Sequence, residues 1–310
     1  MNVLVLGQSG FVGSNIGEVL TKNEIPFTSA SRRIGLDLRD YHQAAALLEK
    51  IEPEIIINCA AHVGSLNYVS NTAADVITDN SRMILAMYNA IAQVCPNAVV
   101  INPIANCAYP SQMEIFREKD WWNGSPHPSI LAYAATRRLM WAVSESFLLQ
   151  HGVKTISLLV PGMYGPFDST DPNKAHVLNA LISKFVKARI NNDAEVEVWG
   201  TGIAVREWLF AKDFGRIVLD LLRDPHRQGF SEPVNVAQNH GLSVLELTSI
   251  IQAATHFEGS IYWDRGKPDG AHRRVMDDRR FRTKFPDFQF TSLSEGINAT
   301  IKFYESIFPY

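Results

Sequence analysis

The chain has only three cysteines, Cys59, Cys95 and Cys107. They form no CxxC or zinc-like spacing, which argues against a disulfide framework and predicts reduced thiols in a cytoplasmic protein. Its nine histidines are scattered, with no HExxH and no His-x3-His cluster, so no metal centre is expected. A basic excess is also lacking: 29 Lys and Arg stand against 32 Asp and Glu, a net charge of −3. A nucleic-acid surface would need a basic balance or stripe. No run approaches the ~18 apolar residues of a membrane span. The start, MNVLVLGQSGFVGS, breaks into glycine at Gly7, too early for a secretory core. What remains is a soluble protein with no nucleic-acid or membrane partner, in which any phosphate must be met locally.

At 310 residues the chain can bury a full core without disulfides. Its first half alternates short β-branched runs (NVLVLG, PFTSAS, EIIINCAA, NAVVINP, KTISLLVPG) with longer amphipathic ones. Strands apolar throughout suit burial on both faces, and the helices between them imply a parallel, doubly wound α/β sheet. Past Pro161 the pattern loosens through Pro166 and Pro172. A helix is expected from about His176, a strand at VEVWG, a strand then a helix in REWLFAKDFGRIVLDLLRD, and a loop at RGKPDGAHRR before a last helix from about Glu295 to Ile307. NVAQ (235–238) can return to the main sheet. The expected division is residues 1–165 plus about 211–240 for the main domain, and about 166–210 plus 241–310 for a smaller mixed α/β lobe.

GQSGFVG places Gly7, Gly10 and Gly13 directly after a strand and at the opening of a helix. That context lets backbone approach a pyrophosphate at the helix N-terminus, the Rossmann arrangement, though a tight turn alone would use the same residues. Where NAD binding would call for an acid after the second strand, the sequence has Ser31, Arg32 and Arg33. Two arginines without an acid suit the 2′-phosphate of NADP, or else form a solvated basic turn. Asp37 in GLDLRD is expected at the end of a third strand, where it can accept from an adenine amine or cap a turn. YAATRR sets Tyr133 and Arg137 four residues apart on one helix face, where both can meet a common ligand.

These features, together with AAHVGSLNYVSN, CAYP, VPGMYGP, HVLNALI, VEVWGTGIAVREWLF and GKPDG, resemble the extended short-chain dehydrogenase/reductases, the NAD-dependent epimerase/dehydratases. Within them the chain is most similar to the GDP-L-fucose synthase branch, NADPH-dependent 3,5-epimerase/4-reductases of a GDP-4-keto-6-deoxy sugar. The resemblance implies a nucleotide-sugar substrate, NADP(H) and a homodimer packed through the long helices at 73–95 and 131–150. It extends the cofactor site to Phe11, Val12, Leu38, Ala60, Ala61 and Pro161, with Arg137 at the nicotinamide ribose.

Tyr133 then matches the tyrosine that protonates the C4 oxygen. Its partner lysine is Arg137 here and the expected serine is Ala105, so two of three reduction residues have changed. Asn106 and Cys107, next in the chain, can replace part of the lost hydroxyl. Cys107 and His176 match the pair that exchanges protons at C3 and C5. Lys184, Lys187, Trp199, Arg206 and Lys267 match the nucleotide site, and Gly162 stands where the family has asparagine. The resulting expectation is C3/C5 epimerisation with or without C4 reduction. The alternatives are an epimerase that does not consume its dinucleotide and a non-catalytic NADP-binding protein.

Overall fold

The computed structural model describes residues 1–171, 174–224, 232–267 and 269–310. Pro172, Pro268 of the GKPDG motif, and the stretch 225–231 within the expected 211–240 return lie outside them. Strand β1 (Val3–Leu6) is buried along its whole length. The two-residue period of a strand divides it between two cores: Leu4 and Leu6 join one, Val3 and Val5 the other. Helix α1 (Phe11–Lys22) leads to β2 (Thr28–Ala30), and α2 (Tyr41–Ile51) to β3 (Ile55–Asn58). Then α3 (Leu66–Asn71) and α4 (Ala73–Val94) precede β4 (Val99–Ala105). After the short β5 (Ile115–Phe116), α5 (Leu131–His151) leads to β6 (Thr155–Val160).

The chain leaves the sheet through β7 (Gly162–Tyr164), α6 (Val177–Asn191), β8 (Glu195–Trp199), β9 (Val205–Arg206) and β10 (Trp208–Phe210). Helix α7 (Ala211–Arg223) carries it back to β11 (Val234–Asn235). The remainder comprises β12 (Leu242–Ser243), α8 (Val244–Thr255), β13 (Ser260–Asp264), β14 (Arg273–Met276), α9 (Arg279–Lys284) and α10 (Leu293–Ile307).

Six strands make one parallel sheet in the order β11-β6-β4-β3-β1-β2, with α2, α4 and α5 on one face and α1 and α7 on the other. This is the doubly wound α/β architecture expected, including the return near 234. A third core joins α6, α8 and α10, through Leu178, Phe185, Leu247 and Ile297, to the β8–β13 pair. Among the described residues no helix is long and apolar enough to cross a membrane.

Three details differ from expectation. Asp37 is not at a strand end: it follows a 3-10 turn, Arg32–Ile34, and the third strand begins at Ile55. REWLF is not one strand, because Glu207 interrupts it and β9 and β10 join different sheets. The loop expected at RGKPDGAHRR gives way at Arg273 to strand β14, which pairs with both β9 and β5. Glu207 explains the interruption. Its buried carboxylate accepts from the backbone N–H of Gln238 at 2.6 Å and of Met276, in β14, at 2.7 Å, bracing β14 against the segment that follows β11.

Candidate active site

Strand register gathers the candidates at one edge. Leu6 stands level with Ala30 and Asn58, and Ala105 with Val160. Gly7, Ser31, Ala60, Ala61, Cys107 and Pro161 therefore all lie just beyond C-terminal strand ends, where open α/β sheets bind ligands. After its last pairing with β3 at Ile101, β4 runs four residues further to Ala105. Since Leu6 is level with position 102, β4 runs three residues past the end of β1, on the order of 10 Å, which makes the Cys107 turn a wall above the glycine turn.

Close packing explains the glycines. Gly7 has φ 75°, and a Cβ there would lie 2.7 Å from the Ala60 nitrogen; at Gly13 a Cβ would fall 2.4 Å from the Gly7 carbonyl. Helix α1 starts behind Gly10 with no side-chain cap, so its first N–H groups, at Phe11, Val12 and Gly13, point outward as an anion site. Ser9 Oγ donates to Ser31 Oγ at 2.9 Å, tying this turn to the end of β2, beside the exposed Arg32 and Arg33.

Asp37 caps a turn, one of the two roles expected of it. Its carboxylate accepts from the Arg39 backbone at 3.0 Å and takes the Arg39 guanidinium at 2.6 to 3.1 Å; these bonds pull its carboxyl down to about 2. Arg39 continues to Asp79 at 2.9 Å, Asp79 to His62 Nδ1 at 2.9 Å, and His62 Nε2 to the Tyr68 hydroxyl at 2.8 Å. This chain fixes the segment after β3 against α4, with Leu38 buried beneath it. Sequence reasoning missed it because its members are far apart in the chain.

Tyr133 and Arg137 touch each other directly. The guanidinium carbon lies 4.9 Å from the phenol ring centroid, and Nη2 donates to Asn80 Oδ1 at 3.0 Å. Arg137 is 3% exposed, and its buried Nε has no partner among the described residues. Arg138 Nε donates to the Ala108 carbonyl at 2.8 Å, locking α5 to the 3-10 turn Asn106–Ala108 that carries Cys107. Burial pushes the Tyr133 phenol up, with Arg137 pulling it back and Cys107 adding to the rise. Cys107 is pushed up to about 11 by burial, against the opposing charges of Arg274 and Arg137. Arg274, at the start of β14, is a charged neighbour that the sequence hid inside an expected loop.

His176 occupies the N-cap position of α6 without capping it by its side chain. Its ring lies 5.3 Å from the Phe11 ring, beside the glycine turn. Nδ1 bonds the two Asp168 oxygens at 3.1 and 3.2 Å, and Asn179 donates to Asp168 at 2.7 Å. Burial would push the imidazole down, but the hydrogen bond and charge of Asp168 outweigh it and leave it above its ordinary value.

In the second lobe, Lys184 and Lys267 approach the half-exposed Trp199 ring at 5.5 and 5.2 Å. Arg206 donates to the Asp269 carbonyl at 3.2 Å, while Lys187, one turn further along α6, faces solvent. At Gly162 a Cβ would stand 3.1 Å from the Trp208 ring, tighter than ordinary packing. The structure thus forms three clusters: glycine turn with Phe11 and His176, Cys107 with Tyr133 and Arg137, and Trp199 with two lysines.

The model of the NAD dependent epimerase/dehydratase family matches residues 3–237. The chain belongs to that family. It is 30% identical over 308 residues to a probable GDP-L-fucose synthase 1 of Oryza sativa subsp. japonica, covering 97% of this chain and 91% of that protein. To the GDP-L-fucose synthase 1 of Arabidopsis thaliana it is 29% identical, covering 97% and 92%. It superposes on the crystal structure of a GDP-L-fucose synthetase from Naegleria fowleri bound to NADP with a TM-score of 0.86, at 23% identity and 98% and 94% coverage. The epimerase/dehydratase fold therefore runs through both lobes, although the family model ends at residue 237.

Proposed function

We propose that the chain is an NADP(H)-dependent nucleotide-sugar epimerase/reductase acting on a GDP-linked 4-keto-6-deoxyhexose or a related keto-sugar. Cys107 and His176 exchange protons at C3 and C5, and Tyr133 serves a slower C4 reduction. The observation that carries this reading is the meeting of Cys107, Tyr133 and Arg137 beyond β4, alongside full-length similarity to GDP-L-fucose synthases.

The residues present suit NADP(H). The uncapped start of α1 and Gly7, Gly10 and Gly13 fit the pyrophosphate, and Ser31, Arg32 and Arg33 fit the 2′-phosphate. Leu38, Ala60, Ala61 and Pro161 line the same edge, and the unpartnered Nε of Arg137 offers a donor to the ribose. When bound, the cofactor supplies the hydride for C4. Tyr133 hydrogen-bonds the C4 oxygen. The Cys107 thiolate removes the proton next to the ketone, and the electron pair moves onto O4 as an enolate. The His176 imidazolium then delivers a proton to the opposite face.

Asn106 supplies a polar contact where Ala105 has none. Lys184, Lys187, Arg206 and Lys267 meet the diphosphate, and Trp199 packs against the nucleoside. The main sheet, residues 1–165 plus about 211–240, is the NADP domain and the remainder the nucleotide-sugar lobe. Exposed Ile77, Leu85, Leu131, Leu148 and Leu149 on α4 and α5 support a homodimer through these helices, and the free thiols suit a cytoplasmic protein.

Incubating the protein and NADPH with GDP-4-keto-6-deoxymannose in deuterated water tests the assignment. The expected result is deuterium at C3 and C5 with slow NADPH oxidation. Exchange without oxidation would support the second reading, an epimerase that keeps its dinucleotide, favoured by Ala105 and Arg137. Neither signal from protein that binds NADPH would leave only a binding protein.

A further inference from the structure

We propose that Asn179 is a positioning residue for His176: by fixing the Asp168 carboxylate it keeps Nδ1 turned inward and makes Nε2 the nitrogen that returns the proton. This rests on the epimerase reading above. The bonds that carry it converge on one buried carboxylate. At Oδ2, Asp168 accepts from the His176 backbone N–H at 2.9 Å and from Asn179 Nδ2 at 2.7 Å, while His176 Nδ1 lies 3.1 and 3.2 Å from the two carboxylate oxygens. The Asn179 bond is the shortest of the four.

Helical spacing brings the amide there. His176 is the N-cap of α6 and Asn179 its third residue, so the two side chains lie one turn apart on the same face. In a capping box the side chain at that third position would take the N-cap N–H. Here Asp168 takes it, from the loop before the helix, and Asn179 donates to Asp168 instead. The other end of the fully buried amide is fixed as well, since Oδ1 accepts from the Gly165 backbone N–H at 3.0 Å. A backbone N–H only donates and a carboxylate only accepts, so the amide has one orientation. From α1, the buried Asn15 Nδ2 donates to the Pro166 carbonyl at 2.8 Å. The turn that carries Asp168 is thus held by two helices.

Burial alone would raise the Asp168 carboxyl, but the donors around it hold it below its ordinary value. It is therefore ionised and accepts only, so Nδ1 carries a hydrogen in either charge state of the ring. The ring's hydrogen bonds to Asp168 both run through Nδ1, which leaves Nε2 for the substrate. When the proton is returned, the Nε2–H bond breaks, the enolate pair forms the new C–H bond, and O4 becomes a ketone oxygen again. The ring stays neutral with Nδ1–H still on Asp168. Without the Asn179 donor the carboxylate can turn about its Cβ–Cγ bond, and a side chain that is a third exposed can flip to present Nδ1 instead.

The test uses the full chain, labelled with ¹⁵N-histidine, with Asn179→Leu and Asn179→Ala beside it. The His176 resonances are assigned by their loss in His176→Gln, and the neutral ring is observed at alkaline pH, where a protonated nitrogen and a bare one resonate far apart. The unmodified protein is expected to show hydrogen on Nδ1 and none on Nε2. Either Asn179 variant should show a mixture of the two tautomers. Deuterium exchange should fall on the order of tenfold in kcat, within the ~10²-fold that a 1 Å misplacement can cost, with little change in KM. Hydrogen on Nε2 in the unmodified protein overturns the proposal without recourse to a variant. So does a variant that keeps the Nδ1–H tautomer, whether or not its kcat falls, because a lower rate with the ring unmoved is a general loss of structure. If the tautomers behave as expected but the unmodified protein shows no exchange, the positioning stands and the epimerase reading fails.

Discussion

Cys107 and His176 are held by opposite means. Cys107 rides on a turn at the end of β4, 7% exposed, with guanidinium charge around it. His176 begins a helix, its side chain a third exposed, with the buried carboxylate of Asp168 behind it. Burial opposes the charged form of each group, and in each case the surroundings supply the compensating sign. Cations favour a thiolate and a carboxylate favours an imidazolium. In the proposed exchange the sulfur is the base and the imidazole the acid, and the charge around each group favours that pairing even though burial still holds the thiol up. Because the thiol is pushed up to about 11, only a small fraction of molecules holds both groups in the working state. That fraction falls tenfold for each unit by which the thiol is raised or the imidazole lowered.

Removing the base has the largest expected effect. Cys107→Ser should lower deuterium exchange at C3 and C5 by roughly 10³-fold, within the range for loss of a general base, while NADPH affinity stays unchanged. Unaltered exchange would remove Cys107 from the chemistry. Disturbing the other partner is gentler. Asp168→Asn takes away the charge that holds His176 up. Exchange across the plateau should fall about tenfold per unit lost, and the acid limb of the pH profile should move to lower pH. The sign follows from the working state: with the imidazole titrating below the thiol, the acid limb reports His176. A limb that moves upward, or a plateau that does not fall, would break the assigned roles.

Local sequence carried most of the fold and half of the site. Uniformly apolar strands such as VLVL and IIIN, glycines at 7, 10 and 13, and the four-residue spacing of Tyr133 and Arg137 are signals confined to one element. Contacts made by pairing across the chain were hidden. β14 reads as the end of a loop because RRVM shows no alternation and takes its partners from β9 and β5. Asp37 reads as a strand end until Arg39 is seen clasping it. Asp168 sits in a polar loop whose composition gives no hint that its carboxylate is buried under His176. Asn80 and Glu207 were missed for the same reason: each bonds a partner dozens of residues away.

The smallest effect concerns the reduction half, where the chain departs most from its resemblance. Arg137 lies over the Tyr133 ring and donates to Asn80, so its charge favours a phenolate. It cannot pass a proton on, and its planar fork is wider than an ammonium group. Lysine at this position would keep the charge, shorten the reach to Asn80 and restore a group able to titrate. Arg137→Lys should therefore raise NADPH oxidation with a keto-sugar by a few-fold. Adding Ala105→Ser should raise it further, because one oxyanion-type donor is typically worth ~10²–10³ in rate when well placed. The full gain requires the serine hydroxyl to reach O4 in good geometry, so a smaller increase is expected. Exchange at C3 and C5 should change little, since lysine keeps the positive charge that acts on Cys107. If the double change slows NADPH oxidation, arginine and alanine belong to a site rebuilt around a different carbonyl position, and the comparison of an intact epimerising pair with a weakened reducing one no longer holds.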